Sequence, residues 1–230
     1  MPLRRHVVIT GTGRAGTTFL VELLTHLGLD TGFNAESLKS GKYEIARAGL
    51  EHDIRQDNCP FIVKSPWFCD YAEKILRRDD IAIEHVFILM RDLYAAAESR
   101  RHVVDANVSS LPFRKRLAHK IWPLKFAGGL WYTRSRRAGK QEKILLLKIY
   151  QLLLATSGRN VPVTLMRYPE IVDDCPYLYA KLKPLLRGIS YASFASVFHK
   201  VARPELVHHF EEQDAAAQGN TNPINGRLRP

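Results

Sequence analysis

A three-layer α/β sandwich around a mainly parallel sheet is the fold this chain of 230 residues predicts. Three observations carry that reading. Apolar, β-branched runs recur, and each is followed by a stretch with helical spacing, the pattern of parallel strands joined by crossover helices. A glycine-rich turn separates the first such run from the first helical stretch. The composition, 46% hydrophobic and 25% charged, supports one buried core of ordinary size and scarcely two.

The elements follow in order. His6 to Thr10 reads as the first strand, and after the glycine turn a helix carries Phe19, Leu20, Leu23, Leu24 and Leu27 on one face, with Gly28 as its stop. Phe61 to Lys64 reads as a second strand, with a helix after Pro66. His85 to Met90 reads as a third, followed by a helix from about Leu93 to Arg101. Lys140 to Thr156, rich in leucine and lysine and free of proline, predicts a long helix ending at Gly158. Val161 to Met166 reads as the fourth strand, and Pro169 to Leu186 as a largely helical return broken near Pro176 or Pro184. Between about Leu111 and Lys143 the apolar period weakens and Lys and Arg crowd in. That stretch reads as an insertion or cover over the sheet within a single domain, 1–230. The tail from Gln213 to Pro230 has few large apolar groups and reads as irregular.

A net charge of +11 favours anionic partners: a nucleotide, a sulfated or phosphorylated acceptor, a nucleic acid or a membrane surface. Charge alone does not choose among them. No window approaches the run of about 18 apolar residues that a membrane span needs. The N-terminus passes from Arg4-Arg5 straight into a strand, so a cytoplasmic protein without a transmembrane segment is expected. Cys59, Cys69 and Cys175 match neither a zinc site nor a disulfide framework and read as reduced thiols. No His and carboxylate spacing of a metal site occurs, and His208-His209 reads as a solvated helix end.

The chemistry concentrates in Gly11-Thr12-Gly13-Arg14-Ala15-Gly16-Thr17-Thr18, between a strand and a helix. Glycines let the backbone turn tightly against an anion, and the amides at the helix N-terminus point at it. Gly11 and Gly16 have the spacing of a Walker A loop, yet Thr17 stands where a nucleoside triphosphatase needs lysine on its terminal phosphates. Arg14 supplies a cation inside the turn instead. Arg14-Ala15-Gly16-Thr17-Thr18 resembles the 5'-phosphosulfate loop of the sulfotransferases that use 3'-phosphoadenosine 5'-phosphosulfate (PAPS). A second match is independent. Met90-Arg91-Asp92 closes the third strand and Ser99 follows eight residues after Arg91, the spacing of that family's 3'-phosphate site. Physically, an arginine leaving a strand end and a serine on the second turn of the next helix, roughly 9 Å along its axis, can converge on one phosphate. Val161 to Tyr168 followed by Pro169-Glu170 is a looser likeness to a late segment of the family core, and no duty is assigned to Arg167 or Tyr168. The likeness spans residues 6 to about 187. The family's C-terminal Gly-x-x-Gly-x-x-Lys element is not visible, so Arg and Lys of 111–143 stand as substitutes to cover the adenine end.

The resemblance implies a P-loop nucleotide-hydrolase-like fold and PAPS-dependent sulfation of an acceptor hydroxyl or amine, without a metal. Gly13, Arg14, Ala15, Gly16, Thr17 and Thr18 would hold the 5'-phosphosulfate, and Arg91 and Ser99 the 3'-phosphate. Arg14 would also stabilise the leaving phosphate. Lys64, in Val63-Lys64-Ser65-Pro66, stands where the family's lysine contacts the transferring group. Where many members carry a basic histidine two residues later, this chain has Pro66. Other members place a glutamate in the loop after the first helix, and Glu36 lies in the comparable place, with Glu44 and His52 as lesser candidates for the base. Trp67 and Phe68 could line an acceptor cleft, although aromatics at a helix start are more often core. A kinase or NTPase of the same fold is the first rival, opposed by Thr17 and by the Arg91 and Ser99 spacing. A non-catalytic module that binds polyanions through Arg114 to Lys143 is the second. The partner expected is a small-molecule or glycan acceptor, and a nucleic acid is not.

Overall fold

The computed structural model describes residues 3–40, 42–43, 48–109 and 139–207, with residues 112, 114, 131, 133 and 137 between them. Most of the basic stretch at 111–143 therefore lies outside the described residues. So do Glu44, His208, His209 and the tail at 213–230.

Four parallel strands form the central sheet: β1 (Arg4–Gly11), β4 (Ile62–Lys64), β5 (Ile81–Met90) and β6 (Val163–Arg167), in the spatial order β4-β1-β5-β6. The expected strands all form, β5 four residues longer at its start than its apolar run alone suggests. Two short strands, β2 (Lys42–Tyr43) and β3 (Ala48–Gly49), pair antiparallel beside the sheet. The chain goes from β1 to β4 on one side and then crosses to β5 on the other, so the order reverses at β1. In open parallel sheets ligands bind beyond the carboxyl ends of the strands at such a reversal. Gly11 and Met90 are those ends here.

Both faces of the sheet are covered, because successive strand residues point to opposite sides. Val7, Ile9, Phe87, Leu89 and Met166 belong to one buried cluster, and Val8, Val63, Val86 and Ile88 to the other. The first face is covered by α1 (Thr17–His26), α7 (Cys175–Leu182) and α8 (Tyr191–Val201), through Leu20, Leu24, Leu178 and Phe194. The second carries α3 (Ala72–Ile75), a 3₁₀ turn at Phe68–Asp70 and the long helix α5 (Lys140–Ser157), through Phe68, Ile75, Ile149 and Leu152. Each fully buried leucine or phenylalanine is worth about 1.5–3 kcal/mol relative to exposure, so the two cores carry most of the driving force.

Local signals set the helix ends. Gly28, at φ 79°, takes the left-handed position after α1: its amide bonds to the Thr25 carbonyl and that of Leu29 to Leu24, the Schellman pattern. Asp92 caps α4 (Leu93–Ser109) by accepting from the Ala95 amide at 2.8 Å. The helical return breaks at Asp174, which separates α6 (Glu170–Asp173) from α7 and caps the latter through the Tyr177 amide. Two helices go beyond the periodicity reading. The first is α8, and the second is α2 (Ala35–Ser40). Glu36 thus sits in the first turn of a short helix rather than in a loop, because Asn34 accepts from the amides of Glu36 and Ser37 and starts it. Phe68 is core, as its place at a helix start suggested, and Trp67 packs partly buried against the second cluster.

Candidate functional site

The turn after β1 depends on backbone conformations that L residues avoid. Gly13 (φ 69°), Arg14 (φ 57°) and Gly16 (φ 81°) all lie in the left-handed region. A Cβ on Gly13 would stand 2.5 Å from the Arg100 guanidinium, and one on Gly16 would stand 2.8 Å from Ile171. One step earlier, a Cβ on Gly11 would overlap the Leu89 carbonyl at 2.1 Å. The glycines are therefore what lets β1 lie against β5 and lets the turn close around its neighbours. Ala15 is buried beneath it, and α1 begins at Thr17 with its free amides at the turn.

Two arginines from other segments, Arg91 and Arg100, join Arg14 here. Arg14 Nε donates to Ser99 Oγ at 3.2 Å, across 85 residues of sequence, and Arg91 donates to the Arg14 carbonyl at 3.1 Å. The two motifs therefore form one cluster, with Arg91 leaving β5 and Ser99 on the second turn of α4. Arg100, adjacent to Ser99 and buried, donates to the Thr12 carbonyl at 2.6 Å. Burial, and then the charge of Arg14, bring its pKa down to about 10. Burial also lowers that of Arg91, whose guanidinium lies 5.0 Å from the centre of the Tyr168 ring. Tyr168 packs against Gly16 as well, 3.2 Å from where a Cβ would stand.

Lys64 reaches the same turn from β4. Only 2% exposed, it donates to Thr18 Oγ1 at 2.8 Å, to Glu51 Oε1 at 3.0 Å and to the Gly49 carbonyl. An ammonium has three donors, so all are engaged. Burial lowers the Lys64 pKa, Glu51 opposes that shift, and the charge of Arg14 adds to it. Lys64 and Arg100 thus both feel the charge of Arg14, while Glu51 offsets it at Lys64 and Asp92 favours the charged form of Arg91. Thr12 adds a buried hydroxyl, 1% exposed, with no hydrogen-bond partner among the described residues. Repelling cations, free helix amides and an unsatisfied hydroxyl around one turn together favour an anion.

Most of the expected binding residues are therefore brought together: Gly13, Arg14, Ala15, Gly16, Thr17, Thr18, Lys64, Arg91 and Ser99. Glu36 stands exposed on α2. His52 is half-buried, bonds the Thr31 carbonyl through Nε2 at 3.1 Å and packs on Phe33, and burial lowers its pKa. Arg167 is exposed and pairs with Glu170. Three contributors escaped the sequence reading. Arg100 had a signal, since Ala96, Arg100 and Val104 follow one another at helical spacing and all are buried. Tyr168 lies in the looser late segment, where its spacing gives it no role. Glu51 had no local signal at all, being an acid in an irregular segment. Among the described residues no group of three or more His, Cys, Asp or Glu is placed to hold a metal ion, and no helix is long and apolar enough to cross a membrane. None of the three cysteines is in a disulfide, and burial raises the pKa of each, that of Cys69 to about 12.

Fold and site together define an α/β protein with a cationic glycine turn at the reversal point of a parallel sheet. Comparison with protein-family models, curated proteins and solved structures finds no match to the chain.

Proposed function

We propose that the chain is a sulfotransferase that moves a sulfuryl group from PAPS to an acceptor hydroxyl or amine. The observation that carries this reading is the convergence of Arg14, Arg91 and Ser99, each one hydrogen-bond length from the next, beyond the adjacent ends of β1 and β5. A nucleotide with phosphates at both 3' and 5' positions meets two requirements of that geometry: a turn of amides for one anion and a strand-end arginine with a helix serine for the other. The same turn with Thr17 offers no lysine to a terminal phosphate, which weighs against the kinase or NTPase reading.

In this reading the amides from Gly13 to Thr18, with Arg14, hold the 5'-phosphosulfate, and Arg91 with Ser99 holds the 3'-phosphate. PAPS supplies the sulfuryl group and a nucleotide phosphate as leaving group. Arg14 neutralises charge that grows on that leaving oxygen, and Arg100, fixed on the Thr12 carbonyl, adds a second positive charge behind the turn. Lys64 contacts the transferring group by giving up one of its three bonds, and the one to Thr18 is the exchange that leaves Glu51 in place. Glu36 is the proposed base for the acceptor proton, and a cytoplasmic setting is proposed with it.

Titration calorimetry with 3'-phosphoadenosine 5'-phosphate and, separately, ATP with magnesium tests the reading. The bisphosphate is expected to bind and ATP to bind at least tenfold more weakly, a difference of about 1.4 kcal/mol. ATP binding the tighter would make the chain a kinase or NTPase, and binding of neither would leave the polyanion module. A sulfate-transfer screen across sugar, phenol, lipid and peptide acceptors then finds the second substrate.

A further inference from the structure

On the side of the sheet opposite α1, the outward face of α5 is apolar where a surface helix is ordinarily polar. Leu146, Leu147, Tyr150 and Leu154 recur at intervals of three and four residues, and each is more than half exposed. The inward face, through Leu145, Ile149 and Leu152, is already committed to the core. Scattered single leucines on a surface need no account, but a stripe along one helix does.

Two further observations say what covers it. The stripe is bordered by cations: exposed Lys140 and Lys143 lie at its start and Arg159 just beyond its end, while Glu142 is turned away toward Arg101. In sequence, the 36 residues that lead into it, Ala106 to Gln141, hold nine Lys and Arg and no Asp or Glu. The second observation is a depression of about 600 Å³ that shares Leu154 with the stripe. Lys74, Arg77, Lys148 and Arg159 line it, against Asp70 and Glu73. Lys148 pairs with Asp70 and Arg77 with Glu73, whereas among the described residues no ion pair engages Lys74 or Arg159. The depression thus carries surplus positive charge at one end of an apolar stripe. A second copy of the chain is a poorer fit. Four half-exposed side chains offer on the order of 400 Å², about half of what one partner gives to a standard interface, and the balance of charge around them is positive, which two copies would bring together.

We propose that this face docks on an anionic lipid bilayer, with Leu146, Leu147, Tyr150 and Leu154 entering the headgroup boundary and Lys74, Lys143 and Arg159 meeting lipid phosphates. The chain is then a peripheral membrane protein, whatever reaction its glycine turn serves. Vesicle sedimentation of the full chain tests this, using phosphatidylcholine alone and vesicles with about one third phosphatidylglycerol. The anionic vesicles should bind at least tenfold more tightly. The double variant Leu147→Asp/Leu154→Asp should lose that binding while melting at the temperature of the parent. Lys143→Glu/Arg159→Glu leaves the apolar groups untouched and should lose about tenfold, an effect that salt mimics in the parent. Equal binding to both vesicles overturns the proposal. So does undiminished binding by the first double variant, which would mark a general polyanion effect. Loss of a concentration-dependent dimer in that variant, with no lipid binding by the parent, would assign the stripe to a second copy instead.

Discussion

Among single residues, Arg91 and Ser99 make the sharpest contrast. A guanidinium contact to phosphate is charge-assisted and a hydroxyl contact is not, so Arg91→Ala should weaken binding of 3'-phosphoadenosine 5'-phosphate by tenfold or more and Ser99→Ala by less. The analogue lacking the 3'-phosphate should bind parent and variants alike in calorimetry. Equal affinity of Arg91→Ala for the bisphosphate would remove the 3'-phosphate assignment. The two glutamates separate by a different measurement. If Glu36 is the base, Glu36→Gln lowers turnover by roughly 100-fold with nucleotide affinity unchanged, and the acidic limb of the pH profile disappears. Glu51→Ala instead strands the Lys64 ammonium in a nearly dry site, with only Thr18 and Gly49 left as partners. Removing one partner of a buried pair costs roughly 3 kcal/mol, which urea unfolding would read as a lower midpoint. A midpoint unchanged in Glu51→Ala would mean that Lys64 is held by its neutral partners alone. The spacing of Arg91 and Ser99 was legible because strand end and helix turn lie eight residues apart. Glu51 was not, since its partner is 13 residues away across an irregular segment.

For elements, the junction of β1 with the glycine turn is the place to test. Gly11 lies in register with Leu89, and the missing side chain is what allows that pairing. Gly11→Ala should therefore destabilise the whole sheet, by about 3 kcal/mol or more. Gly13→Ala has a local cost: φ 69° disfavours alanine by roughly 1–2 kcal/mol, and the new methyl meets Arg100. It should cost more in nucleotide affinity than in melting temperature, and the reverse order would make the turn structural only. Periodicity identified β1, β4, β5 and β6 and the helices after them because each writes its own pattern within a short window. It missed α8, although Phe194, Phe198 and Val201 lie on one face, since serine and alanine dilute the apolar count between them.

At the scale of the molecule, pH reports how burial is distributed. His6, His52 and His85 are all held below their ordinary value of 6.5, chiefly by burial. His6 shows why: its Nδ1 lies 2.7 Å from the Pro60 carbonyl and so bears the proton, while Nε2 is buried with no partner among the described residues. Protonating Nε2 would put a charge where nothing accepts it. The unfolded chain takes up protons near pH 6.5 and the folded chain only at lower pH, so in that window the unfolded state binds more of them. Stability is then complete above about pH 6.5 and falls as pH drops through the folded values. A fall in melting temperature on the order of 5 °C between about pH 7 and pH 5 is expected, and His6→Asn, which can still donate to Pro60, should reduce it while leaving the shares of His52 and His85. A flat profile in the parent would mean that the three imidazoles are hydrated enough to charge freely.

The amino-acid sequence by itself determined a parallel α/β chain, the positions of four strands, the glycine turn with its helix, and the spacing that puts Arg14 in that turn, Arg91 at a strand end and Ser99 on the next helix. These are local properties: side-chain period, turn chemistry and short spacings act within a dozen or so residues. Only the tertiary structure decided that β1 lies between β4 and β5, and hence that Arg14 touches Ser99 across 85 residues. It also brought Arg100 beneath the turn, Tyr168 against Arg91 and Glu51 onto Lys64. The physical reason is that strand order follows from which faces can be buried together, a property of the packed sheet that no single window of sequence contains.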